Sequence, residues 1–473
     1  MKKFTLTILL MSIIISMISQ TQITFEKTYG GINDDVGTSV IQTSDGGYMI
    51  AGYTSSYGMG GNDIYLIRTD EYGDTIWTNT IGGINDDYAY SMIESQDSGF
   101  VIWGKTKSYG LNEDNFYLLK VNSLGDTLWT RTFTGYNSPS YIKTSGLFRC
   151  SDNGYILTGT KFPSGNYIKG YVIKTDSAGN EIWDFHQTNS SMYAGLEAPD
   201  STYLFIGRVF IGTKDMYLLN LNTTGTNFVG TYNYDYNNDY GEGFSVISSM
   251  QGGYLLSGFS GSLKFVHIVK VDSAFNIQWE TLFNYNELYV KSTPNGEKDF
   301  FNIQTADSCY MFLGRNTAFG DIKLIKTDSS ANIMWSQLIG GTEAERPYCF
   351  QQTSDNGFVI VGLTESYGAG GKDVYLIKTD SSGAVLTSNF HKDYNNNISV
   401  SIYPNPTTGK INVEAEGIER IDIYDIQGMK VKSQKTNIKS QKYELDLSTQ
   451  PKGIYIIKVT TSKGVAVEKI VLE

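Results

Sequence analysis

Histidine and cysteine are nearly missing from this chain, with three of each in 473 residues. His186, His267 and His391 stand apart, with no second histidine or cysteine at ligand spacing, so no zinc site and no nucleophile–histidine pair is visible. Cys150, Cys309 and Cys349 are an odd set at different positions, so a disulfide framework does not hold the fold; spacing leaves open only a Cys309–Cys349 bridge. Basic charge is also short. Lys and Arg number 37 against 49 Asp and Glu, a net charge of −12 with no basic run, which argues against nucleic acid as a partner. The acid excess lies before His391.

Long apolar runs are missing too, except from Phe4 to Ile18. Lys2 and Lys3 precede that run, and Ser19, Gln20 and Thr21 follow it. It reads as a secretory signal peptide over residues 1–21 rather than a membrane span, and the mature chain is expected to start close to Gln20 or Gln22. No cysteine lies near the cleavage region, which excludes a lipid anchor. No membrane span is expected in the mature protein.

What the chain has in quantity is glycine (50), tyrosine (34) and phenylalanine (23), beside only 8 prolines. This is the composition of turns and half-buried aromatic strands, hence of an all-β fold. The stretch from Asp45 to Trp77, DGGYMIAGYTSSYGMGGNDIYLIRTDEYGDTIW, returns near the other end as DNGFVIVGLTESYGAGGKDVYLIKTDSSGAVL. Aligning the chain on it gives seven units with a period of about 50 residues.

Each unit opens on a turn, as at Asp45-Gly46-Gly47, Asp97-Ser98-Gly99 and Asp355-Asn356-Gly357, followed by an aromatic residue such as Tyr48, Phe100 or Phe358. A second turn recurs about 25 residues later by the same turn chemistry. Four residues beyond it stands Trp77, Trp129, Trp183, Trp279 or Trp335; units four and seven carry Val229 and Thr387 instead. Alternating runs between the turns read as four strands per unit, the pattern of a propeller blade. Such a sheet cannot bury both faces alone, so units must stack on their neighbours. Gly52, Gly104, Gly159, Gly207, Gly258, Gly314 and Gly362 share one strand position, where a side chain is expected to strike neighbouring backbone. ITFEKTYGG, Ile23 to Gly31, matches the outer-strand segment TIWTNTIGG, so the N-terminal segment is expected to supply the last blade's outer strand.

These repeats resemble the Asp-Gly-Gly-type propeller repeats of bacterial secreted proteins from Phe25 to Phe390, a resemblance that implies architecture and no particular activity. After HKDYNNN the composition changes. YPNPTTGKINV, IDIYDIQGMKV, LDLSTQPKGIYIIKV and KIVLE look like the type A C-terminal sorting domain of the type IX secretion system. In that resemblance Tyr403, Pro404, Asn405, Pro406 and Gly409 match the opening motif, and Gly453 and Tyr455 the later Gly-x-Tyr motif. It implies two partners, the type IX machinery and its processing transpeptidase, in a Gram-negative bacterium. It also implies passage through the periplasm to the outer cell surface or the medium. The same prolines and glycines also suit the turns of any small sandwich.

The expected fold is therefore all-β: a seven-bladed β-propeller over residues 22–390, a linker over 391–398 and a small C-terminal β-sandwich over 399–473. No catalytic constellation is recognised, and no metal or cofactor is assigned. Asp34-Asp35 and Asp86-Asp87 recur at equivalent loop positions, which favours loop structure over acid/base work. The Asp and Asn clusters lack an EF-type loop pattern. Topology sends GGINDD and SSYGMGGND to one rim, which would present Asn33, Asp34, Tyr57, Asn62, Asp63, Asp86, Tyr109, Glu343, Tyr367 and Asp373. Aromatic platforms beside carboxylates and amides suit a glycan or protein ligand; equally, the tyrosines can pack loop against loop. The function expected is a secreted or surface binding or adhesion module. The alternatives are an extracellular hydrolase acting through rim carboxylates and a purely structural surface protein.

Overall fold

The computed structural model describes residues 22–110, 114–133, 140–163, 167–210, 216–226, 228–234, 241–260, 265–284, 287–289, 300–317, 320–385, 400–425, 430–435, 442–461 and 464–472. The leader and the linker lie outside them. The described residues contain strands and turns and no helix. No helix among them is long and apolar enough to cross a membrane.

Within the compact unit Ile23–Val385 the strands form seven four-stranded antiparallel sheets. The first is built from Asp35–Gln42, Tyr48–Thr54, Asp63–Thr69 and Thr75–Ile81 in that order. Five more follow in sequence, their first strands being Asp87–Glu94, Ser140–Arg149, Ser190–Glu197, Gly241–Ser248 and Phe301–Gln304. The seventh takes three strands from Glu345–Gln352, Phe358–Thr364 and Asp373–Thr379, and its fourth from Phe25–Tyr29, with Phe25 opposite Lys378 as Trp77 is opposite Arg68. Each first strand touches the next, and that of the seventh sheet touches that of the first.

The core lies between neighbouring sheets. Met49, Ile64 and Leu66 of the first pack with Ala89, Met92, Phe100 and Ile102 of the second, and Val359, Val361 and Leu376 of the seventh pack with Val40, Ile50 and Ile67 of the first. The tryptophans extend this packing outward. Gly125, at φ +86 in the second sheet's outer turn, lies under Trp77 of the first, where a Cβ would come within 2.7 Å of the indole. Gly179 meets Trp129 in the same way, and Gly73 meets Phe25. The fourth sheet has Val229 in place of tryptophan. There the fifth sheet's turn supplies the ring itself: Phe275, held at φ +68, lies 4.4 Å from Tyr232 and stacks on Tyr254.

The turn aspartates have a second partner beyond the turn. Arg68 reaches Asp45 at 2.5 Å, Lys120 reaches Asp97 at 2.5 Å, Lys174 reaches Asp152 at 2.7 Å and Lys378 reaches Asp355 at 2.9 Å. Each cation is a third-strand residue, buried in all but the partly buried Lys120, whose charge is met at the sheet's end. The hydrogen bond from Lys120, with help from Ser95, holds the Asp97 carboxyl down at about 2, against an ordinary 3.8. A carboxylate depressed in the folded state stabilises it above the unfolded value and loses that contribution as pH falls toward the folded one. Stability attributable to Asp97 should therefore be complete above about pH 4 and fade toward pH 2. Urea midpoints of Asp97→Asn and the parent should differ at pH 6 and converge near pH 2. A difference independent of pH would contradict the ion pair's role.

The C-terminal residues form a three-stranded sheet, Ser401–Tyr403, Lys410–Glu414 and Lys442–Asp446, and a four-stranded one, Lys430–Lys435, Ile418–Asp425, Gly453–Thr461 and Gly464–Leu472. Ile411, Val413 and Leu445 of the one share a single core with Ile421, Ile423, Ile457 and Val459 of the other.

Candidate functional site

Five of the seven first strands carry a one-residue register break against their neighbour, at Gly37/Ser39, Ala89/Ser91, Met192/Ala194, Gly243/Ser245 and Pro347/Cys349. The third sheet has a wider break, between Thr144 and Leu147. A bulge leaves its extra residue unpaired and re-aims its side chain. The extra residues Thr38, Tyr90, Ser145, Gly146, Tyr193, Phe244 and Tyr348 all line one cavity of about 260 Å³, and Phe300 and Asn302 of the sixth sheet complete it. All seven sheets therefore contribute to one site through their first strands.

Its walls are aromatic rings interleaved with Ser39, Ser91, Ser145 and Ser245, and no carboxylate or basic side chain lines it. Tyr193 and Phe244 meet edge to face at 5.7 Å. Thr38 is spent on structure, its hydroxyl bonding the carbonyls of Ala51 and Ala89. Ser145 Oγ and Asn302 Nδ2 are buried without a hydrogen-bond partner, although Asn302 Oδ1 accepts from Ser257 at 3.1 Å. An unpaired amide donor and hydroxyl in an uncharged aromatic pocket suit a neutral ligand carrying hydroxyl or carbonyl oxygens. The bulges escape sequence reading, because one extra residue barely disturbs strand alternation. The only signal was the shared glycine opposite them.

The ten rim residues fall into three neighbouring loop clusters, at the sixth/seventh, seventh/first and first/second junctions. Most of their polar groups hold loop to loop. Tyr57 OH donates to Gly30 O at 2.8 Å, Tyr109 OH to Gly82 O at 2.9 Å and Tyr367 OH to Gly340 O at 3.2 Å, one contact made three times. The Asn33 and Glu343 backbone amides donate to Ser56 Oγ and Ser366 Oγ. Asp34 accepts from the Lys372 amide, and Asp86 accepts from the Asn62 amide and from Lys107 Nζ. Asp63 and Asp373 are only 1% exposed and present nothing to the rim, because each heads a third strand covered by its own loop. The tyrosine rings remain open to solvent at 46%, 41% and 38% for Tyr57, Tyr109 and Tyr367.

Among the other sequence candidates, His267 is a buried strand residue whose Nε2 lies 2.9 Å from Glu280. His391 lies outside the described residues. All three cysteines are free thiols, and burial pushes the Cys150 thiol up to about 12. No group of three or more His, Cys, Asp or Glu able to hold a metal ion occurs among the described residues.

Asn405 of the sorting motif and its neighbour Thr407 form a latch. Asn405 Oδ1 accepts from the Val471 amide at 2.9 Å, and the Thr407 amide donates back to Val471 O at 2.8 Å, so the opening motif grips the last strand. Pro404 and Pro406, both preceded by cis peptide bonds, flank Asn405. Gly409 and Gly453 take φ +147 and +155, Tyr403 accepts from Lys442 Nζ at 2.6 Å, and Tyr455 OH donates to Pro451 O at 2.6 Å.

Residues 401–473 match the family model of the secretion system C-terminal sorting domain. A tail of this kind indicates export to the cell surface or secretion. No curated protein sequence matches the chain. Solved structures with a similar fold include the BP39L lectin from Burkholderia pseudomallei, at TM-score 0.49 and 10% identity, covering 75% of this chain and 98% of that one. The Dos1 propeller is similar at TM-score 0.44 and 11% identity, covering 82% and 91%. The extracellular domain of the one component system BT4673 from B. thetaiotaomicron is similar at TM-score 0.43 and 10% identity. The match covers 94% of this chain, which spans 59% of that one.

Proposed function

We propose that this chain is an exported binding protein: a closed seven-bladed β-propeller with a central site for a small neutral polyhydroxylated ligand, such as the end sugar of a glycan. Its residues 399–473, a small β-sandwich, address it to the type IX machinery and the processing transpeptidase. The signal peptide would first deliver it to the periplasm of a Gram-negative cell. The single observation that carries the binding reading is the convergence of all seven first strands on one uncharged cavity with Ser145 Oγ and Asn302 Nδ2 unpaired. An unsatisfied buried polar group costs about 1–3 kcal/mol, a cost that a ligand oxygen would relieve. The volume of about 260 Å³ lies just below the range of about 300–1,000 Å³ usual for drug-sized ligands, so it fits one ring rather than a chain.

The rim supports a second reading, because Tyr57, Tyr109 and Tyr367 expose equivalent rings on adjacent loops. A hydrolase is supported less well, since the cavity has no carboxylate on its wall. A glycan array probed with the secreted protein tests the binding reading. We expect hits sharing one terminal sugar. An array without signal, repeated at high protein density, would favour the purely structural alternative.

A further inference from the structure

Two pairs of aspartates from adjacent sheets face each other in the same way. Asp87 and Asp35 begin the first strands of the second and first sheets, and Asp63 and Asp373 begin the third strands of the first and seventh. All four are at most 1% exposed. One oxygen of each is spent on its loop. Asp87 Oδ2 accepts from the Gly83 amide at 2.9 Å and Ser108 Oγ at 2.6 Å, and Asp35 Oδ2 accepts from the Gly31 amide at 2.7 Å and Ser56 Oγ at 2.6 Å. Asp63 Oδ2 accepts from the Met59 amide at 2.7 Å, and Asp373 Oδ2 from the Ala369 amide at 3.0 Å.

The other oxygens of Asp35, Asp63 and Asp87 are buried and make no hydrogen bond. A glycine packed against both partners lets the two carboxylates approach each other. A Cβ on Gly82 would stand 1.7 Å from Asp63 Oδ1 and 2.8 Å from Asp87 Oδ2, and one on Gly30 would stand 2.3 Å from Asp373 Oδ1 and 2.6 Å from Asp35 Oδ2. No lysine or arginine forms an ion pair with any of the four among the described residues; Lys107 and Lys372 pair with the less buried neighbours Asp86 and Asp34. Burial, and then the facing aspartate, push the carboxyls of Asp63 and Asp373 above the usual range.

At two junctions without the pair, neither register position holds a carboxylate. Asn115 and Ile142 hold the two register positions between the second and third sheets, and Lys169 and Ser190 hold them between the third and fourth. The sixth/seventh junction is a variation. There the longer Glu345 faces Asp321, and both its oxygens are taken, by the Gly341 amide and by Thr364 Oγ1.

We infer that two divalent cations of calcium size bind between sheets, one joining Asp63 to Asp87 and one joining Asp35 to Asp373. Two buried carboxylates repel each other at such range, and a hard divalent ion neutralises both. Oxygens on one calcium ion lie about 2.3–2.6 Å from it, so facing oxygens at most about 5 Å apart can share it. Main-chain carbonyls and water would complete the shell. The ions act as staples between the seventh, first and second sheets, at the junction where the two ends of the sheet array meet.

Equilibrium dialysis of the full secreted chain, stripped with chelator and returned to about 1 mM calcium, tests this. The expected result is two ions per chain, a melting temperature raised by calcium, and one ion lost in the Asp63→Asn/Asp87→Asn variant. Asp34→Asn/Asp86→Asn, which alters the less buried neighbours, should retain both. No bound calcium, or unchanged stoichiometry in the buried-pair variant, would overturn the inference. So would a stripped protein that gains stability on acidification and is indifferent to calcium, since its pairs would then share protons.

Discussion

Gly104→Ala should cost about 3 kcal/mol or more, enough to unfold much of the protein at moderate urea concentration. A Cβ there would stand 1.9 Å from Tyr88 O, 2.9 Å from Tyr88 C and 3.2 Å from Ala89 Cα. All three are backbone atoms of the first strand at its bulge, so no rotamer change relieves the contact. Val36 O at Gly52, Ser191 O at Gly207 and Arg346 O at Gly362 repeat the collision at 1.9 Å. The control is Gly252→Ala. That glycine has a left-handed φ of +84, which Gly104 does not, but nothing lies within 4 Å of its Cβ position, so only the conformational cost of about 1 kcal/mol applies. Urea unfolding of the two variants should separate them clearly. Equal losses would mean that the bulge does not close over the glycine.

Removal of residues 401–473 should move the protein from the medium and cell surface into the periplasm. The Secretion system C-terminal sorting domain match carries this expectation, and the latch gives it a finer form. Asn405→Ala removes the acceptor for the Val471 amide and should destabilise the tail by about 1–2 kcal/mol, lowering export without changing the sheets of Ile23–Val385. Fractionation with immunoblotting of parent, truncation and Asn405→Ala reads both effects. Surface or medium levels of the truncation equal to the parent's would contradict the tail's role.

Features fixed by local chemistry were legible in the sequence. Asp70, Asp176 and Asp380 each accept two backbone amides of their own turn, which is why the turns recur so visibly. The likeness of ITFEKTYGG to TIWTNTIGG was enough to place Phe25–Tyr29 beside Asp373–Thr379. Features set by the meeting of distant units were not legible. In the Asp34-Asp35 dipeptide nothing local shows that one carboxylate is exposed and the next completely buried. Phe275 gives no sign in its own unit that it replaces a tryptophan absent from the one before. The cavity lies furthest from local reading, because Thr38, Tyr193 and Phe300 converge only through long-range sheet packing. The rim was legible as a place, since it follows from loop order. Whether its tyrosines meet solvent or only carbonyls depends on side-chain geometry, and they do both.

The claim that the cavity, and not the rim, is where the ligand sits is tested most directly by one comparison of affinities for the best array ligand. Titration calorimetry would be run on three proteins: the parent, Ser145→Phe and the Tyr57→Ala/Tyr109→Ala/Tyr367→Ala variant. Ser145 Oγ has no partner to lose, so a phenyl ring there fills the cavity at little structural cost. The cavity account predicts loss of binding in Ser145→Phe and parent affinity in the tyrosine variant. Undiminished binding by Ser145→Phe, with loss in the tyrosine variant, would contradict it and move the site to the rim.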